Sequence, residues 1–157
     1  MPHGLDGWRS TDRRSGSGAV ESVQEVRAGR PAVQASEDGA RRLARAYWRA
    51  ASWGPIGVRE SEGRAAVRLL GIPLLAFDGP ELSAGADHVL CTYRIRGGLL
   101  ARRAGGTLAL EQAGLELVVA VRGFFPRLAR LHHSVQSRIH AAVSRRYFRT
   151  LLAESAR

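Results

Sequence analysis

Between His88 and Arg96 the chain alternates with a period of two. Val89, Cys91, Tyr93 and Ile95 fall on one side, and His88, Thr92, Arg94 and Arg96 on the other; Leu90 alone breaks the polar side. Such alternation specifies a strand with one buried face. An antiparallel sheet with one apolar face must be covered by other elements of the chain. The neighbouring segments share this character. Val58–Glu60 and Arg64–Leu70 read as strands about Glu62-Gly63, and Leu74–Phe77 as a third, stopped by Asp78-Gly79-Pro80 and a loop over 81–87. Gly97-Gly98 and Gly105-Gly106 bracket a hairpin tip that exposes Arg102 and Arg103, and Thr107–Gln112 and Leu115–Arg122 supply two more strands about Ala113-Gly114.

Helical periodicity flanks this meander. Ser36 is an N-cap followed by Glu37 and Asp38. Leu43, Ala46, Tyr47, Ala50 and Ala51 then recur on one face, with Arg41, Arg42, Arg45 and Arg49 elsewhere, until Gly54-Pro55. Pro126 is placed to open a closing helix that runs on from Arg127. At about 100° per residue, Leu128, Val135, Ile139, Ala142, Val143 and Tyr147 share an arc. The expected fold is therefore α+β, an antiparallel meander with one N-terminal helix, covered by a long C-terminal helix. Residues 1–35 are rich in Gly, Ser and Arg without a sustained period and are expected to form a disordered arm ahead of a single domain over 36–157.

The formal net charge is +10, and all 24 basic residues are arginine. Arginine and alanine without lysine suit a GC-rich coding sequence, which weakens the usual inference from basicity to nucleic acid. More than half of the excess lies in residues 127–157, with seven arginines against Glu154. A face of Arg127, Arg130, Arg138, Arg145 and Arg149 is either a solvated surface or a site for nucleic acid or an anionic membrane. The one cysteine rules out an internal disulfide and points to a reducing, cytoplasmic setting. No apolar run approaches the roughly 20 residues of a membrane-spanning helix.

No catalytic, cofactor or metal motif is present in the sequence, which leaves any enzymatic activity open. The glycine pairs match no phosphate-binding loop, and Cys91 reads as a small core residue. His132, Gln136 and His140 lie four apart along one edge of the apolar arc; the two histidines are roughly 12 Å apart at 1.5 Å per residue and cannot share a metal. They form either a polar edge against the sheet or polar points in a pocket. Arg146 falls within the arc shared by Ala142, Val143 and Tyr147. Its side chain either snorkels out beyond the core contact or sits as a cation at a cavity mouth.

The order of elements, a helix, an antiparallel meander and a long closing helix, resembles the helix-grip fold of the START-like superfamily, also known from polyketide cyclases. The stretches Tyr93-Arg-Ile-Arg-Gly-Gly-Leu-Leu-Ala, Gly105-Gly106-Thr-Leu, Gly123-Phe-Phe-Pro-Arg-Leu and Gln136-Ser-Arg-Ile-His140 are also similar to uncharacterised small actinobacterial proteins. The resemblance spans roughly residues 38–153. It implies an apolar cavity between sheet and last helix, and supplies no catalytic residues. The first strand and the paired short helices of the helix-grip pattern are not legible before Gly54. On this reading the chain is a ligand-binding or accessory protein for a small hydrophobic molecule, with Tyr93, His132, Gln136, His140 and Arg146 as polar contacts. The alternatives are the arginine-face binder and a structural subunit whose last helix docks a partner.

Overall fold

The computed structural model describes residues 5–127 and 137–157. It is an α+β fold; among the described residues eight antiparallel strands form one sheet and two helices pack on one face. The strands are β1 (Arg9–Arg14), β2 (Val20–Arg27), β3 (Ile56–Ser61), β4 (Arg64–Leu69), β5 (Ile72–Ala84), β6 (His88–Gly97), β7 (Thr107–Ala113) and β8 (Glu116–Phe124). Helix α1 (Glu37–Ala51) lies between β2 and β3, and α2 (Ser137–Ser155) closes the chain. The sheet order is β1-β2-β8-β7-β6-β5-β4-β3, so β3 to β8 run as a meander and β2 returns to pair with the last strand.

The strand expected at His88 is the middle of this sheet. Val89, Cys91, Tyr93 and Ile95 are all buried, and β7 and β8 repeat the alternation with Leu108 and Leu110, then Leu117 and Val119. Helix α1 begins as its sequence requires: the Ser36 side chain accepts a hydrogen bond from Gly39 N at 3.0 Å. Gly39 itself admits no side chain, because a Cβ there would meet the Gln34 carbonyl. The apolar face of α1 lies against β3, β5, β6 and β7, whereas α2 packs chiefly on α1 and beyond it on β2. Glu154 near the end of α2 meets both Arg42 and Arg49 of α1, at 3.2 and 3.3 Å.

Three expectations are corrected. Residues 9–27 are two strands of the sheet, not a disordered arm. The inward positions of β2 are Val20, Ser22, Gln24 and Val26, and the two polar ones are satisfied across the fold. Ser22 donates to Asp12 of β1, Gln24 Nε2 donates to Ser22 at 2.8 Å, and Ser144 of α2 donates to Gln24 at 3.2 Å. A strand that buries hydrogen-bonded polar groups lacks the apolar signal by which strands are read. Second, Asp78-Gly79-Pro80 does not end a strand, and the loop expected over 81–87 is mostly strand. β5 continues to Ala84 through an irregular register, in which Asp78 pairs with Arg94 and Glu81 with Thr92. The extra residues form a bulge, a place where proline costs no ladder bond. Third, Pro126 does not open the last helix; it bridges to Ala101, and Arg127 N donates to Leu100 O at 2.9 Å.

Candidate functional site

The space between sheet and helices is only partly filled. Tyr47, Trp48, Phe77 and Tyr93 form a buried cluster, edge to face except for the tilted Trp48–Phe77 pair, with the Trp48 indole donating to the Tyr93 hydroxyl at 3.0 Å. Tyr147 and Phe148 of α2 extend the cluster from Tyr47 towards Trp8. On one side of it lies a cavity of about 180 Å³. Its walls come from β2 (Val20, Ser22), α1 (Tyr47, Trp48, Ala51), the sheet (Val67, Leu75, Phe77, Ile95, Leu108, Val121) and the first turns of α2 (Ser137, Ile139, His140, Val143). Trp53, Ile56, Leu74, Leu100 and Phe124 complete the described lining.

The lining is almost wholly apolar. Its polar groups other than ring-borne hydroxyl and indole are Ser22, Ser137 and His140, all on the β2 and α2 side. Asp12 stands behind two of them and accepts from Ser22 and, at 2.8 Å, from Ser137. Trp53 and Ile139 are lining residues that also face solvent, and they mark the opening of the cavity.

Register fixes where that opening lies. Val20 pairs with Phe124, Thr107 with Arg122, Ala76 with Gly97, and Ile56 and Ile72 both with Leu69. The β1–β2 turn, the β4–β5 turn, the Gly98–Gly106 loop and the start of β3 therefore share one end of the sheet, with the end of α1 and the start of α2. The Gly98–Gly106 loop folds back along β5, with Leu99 N and Leu100 N donating to Pro73 O and Leu74 O, and it delivers Leu100 to the cavity wall.

Of the side chains expected to contact a ligand, His140 lines the cavity. Tyr93 does not; it is packed in the aromatic cluster with its hydroxyl held by Trp48, and burial pushes its ionisation above the usual phenol range. Arg146 is exposed on the outer side of α2 and is neither buried nor at the cavity. The buried stripe of α2 is Val143, Ser144, Tyr147, Phe148 and Leu151, turned roughly 90° from the arc drawn through Ile139, Ala142 and Tyr147. That rotation leaves Arg146 in solvent. His132 and Gln136 lie outside the described residues.

Among the arginines expected to form an anion site, Arg130 lies outside the described residues. Arg127 precedes the helix, which leaves Arg138, Arg145 and Arg149 as an exposed stripe on α2. None of these three forms an ion pair among the described residues, and Arg145 lies over the Trp8 ring at 4.8 Å. Sequence reasoning missed Ser22, Ser137, Trp53 and Ala51. Only Trp53, a lone tryptophan beside Gly54-Pro55, carried a signal that could have been used.

Cys91 is fully buried, and burial pushes its thiol up to about 12, which disfavours the thiolate near neutral pH. No group of three metal-ligating side chains occurs among the described residues. No described helix is long and apolar enough to cross a membrane. Comparison with known protein families, curated proteins and solved structures gave no match.

Proposed function

We propose that this protein binds a small apolar molecule in the cavity between α1, the sheet and the start of α2. The observation that carries the reading is the unfilled, almost wholly apolar space itself, set between the aromatic cluster and the rim. An engineered apolar cavity of about 150 Å³ stays dry and takes up benzene, so about 180 Å³ suits a ligand of single-ring or short-chain size. A longer chain would project past Trp53 and Ile139. Ser22 and Ser137, whose hydroxyl hydrogens go to Asp12, would accept from a hydroxyl at the ligand's polar end, an arrangement of sparse polar groups in a greasy site. The return of β2 to pair with β8 supplies the first strand that the sequence left unread, and this supports the helix-grip resemblance, although the paired short helices are replaced by α1 alone.

The test is a thermal-shift series with single-ring aromatics, short acyl chains, monoterpene alcohols and long fatty acids. A ligand present at 100 times its Kd stabilises by about 2.7 kcal/mol, and compact ligands should outperform long ones. Ala51→Leu, which projects into the cavity, should abolish the shift while the protein stays folded. Absence of stabilisation by every apolar compound would overturn the proposal.

A further inference from the structure

The end of the sheet that bears the cavity mouth has a surface unlike the rest of the molecule. Leu70, Ile72, Leu99, Trp53 and Ile139 are the large apolar side chains exposed among the described residues, and every one of them is there. The segments between elements at this end, together with the first turn of α2, carry Arg102, Arg103, Arg127 and Arg138 and no acidic residue among those described. Glu21, just inside β2, faces Arg122 at 4.0 Å.

Leu70 is the most telling of these. It occupies the β4–β5 turn with φ +51, followed by Gly71 with φ +85. Two successive positive φ values are the province of Asn-Gly or Gly-Gly, and leucine is strained there. The same residue is 82% exposed. Neither the turn nor the core calls for leucine at this position.

We infer that this end of the molecule docks onto an anionic lipid bilayer, with the apolar tips entering the interface and the arginines meeting lipid headgroups. Trp53 fits this geometry, since tryptophan favours the headgroup level. Each arginine near an anionic surface strengthens attachment severalfold, and each inserted apolar side chain adds to it. Charge alone would suit a nucleic acid equally well, but a polyanion in water gives exposed leucines nowhere to go. The docking stands on the rim residues alone; only its purpose, exchange of an apolar ligand between cavity and bilayer, rests on the proposed function.

The experiment is co-sedimentation of the full chain with phosphatidylcholine vesicles with and without phosphatidylglycerol, and with random-sequence DNA for comparison. Binding to the anionic vesicles is expected, with quenching of Trp53 by brominated lipid that disappears in Trp53→Phe. Leu70→Asn should show two opposite effects, a melting temperature raised by about 3 °C through relief of the turn and vesicle affinity lowered about tenfold. Arg102→Gln should weaken attachment about fivefold. Ala51→Leu should fill the cavity and leave vesicle binding unchanged, so failure of the ligand reading is distinguishable from failure of docking. No binding to anionic vesicles, or binding that Leu70→Asn leaves intact, would overturn the inference, as would equal binding to DNA with the same response to the variants.

Discussion

The two ends of the sheet are built to opposite rules. At the mouth end, the connecting segments are cationic, their tips are apolar, and the space beneath them is open. At the far end, Asp6, Glu37, Asp38, Glu62, Asp87 and Glu154 occupy the lead-in, the turns and the helix ends beside Arg30 and Arg157, and the opening there is a groove edged by Arg30, Arg42, Asp87 and Glu154 instead of an apolar cavity. The far end also holds an irregular segment by side-chain bonds: Gln112 Oε1 accepts from Ala32 N and Val33 N at 2.8 and 3.0 Å, and its Nε2 donates to Val33 O at 2.9 Å. One end therefore concentrates the interactions that hold the fold, and the other keeps groups that the fold does not require. The aromatic cluster around Trp48 and Tyr93 separates the two.

Helix α2 spans both regions, and substitutions along it test the contrast most severely. Phe148→Ala removes a fully buried ring between Trp8 and Tyr147 and should cost about 4 kcal/mol in urea unfolding. An effect as small as that of a surface change would break the comparison. Gln112→Leu strands two backbone donors and one carbonyl and should cost about 3 kcal/mol, without change in ligand affinity at the opposite end.

Alkaline pH acts on the packed half by a different route. Burial raises the ionisation of Cys91, Tyr47, Tyr93 and Tyr147, so the folded state favours their neutral forms. The contribution is fully present below the unfolded values and is lost as pH rises past them, from about 9 for the thiol until its folded value of about 12. Stability should fall above pH 9 by about 1.4 kcal/mol per pH unit for each group ionised only in the unfolded chain. A flat pH profile between 9 and 11 would contradict the buried cluster. The smallest effect belongs to the mouth, where Ile139→Ala should shift stability by no more than about 0.5 kcal/mol. A large loss there would mean that the rim supports the fold after all.

Legibility followed the same division of chemistry. The central strand, the α1 cap and the meander were readable because their inward residues are apolar and their outward ones polar, the condition under which periodicity reports burial. The β1–β2 hairpin was not, since Ser22 and Gln24 face inward, where Ser22 is satisfied by Asp12 across the hairpin and Gln24 by Ser144, 120 residues away. The buried face of α2 differs from the expected arc because Ile139 and Ala142 are exposed, whereas Phe148 and Leu151, off that arc, are buried. A cavity leaves no mark in one chain's pattern: its walls are ordinary core residues, and the void depends on which of them fail to meet.

The return of β2 to the far side of the meander has a consequence in time. Val26 pairs with Leu117, and Val20 with Phe124, so the second strand of the chain has no sheet to join until the last strand exists. Folding dominated by such distant pairings is slow, in the range of milliseconds to seconds for comparable sheets. During synthesis the hairpin must wait, and its polar inward face, with only two valines, makes it a segment that can wait in water without adhering to its neighbours.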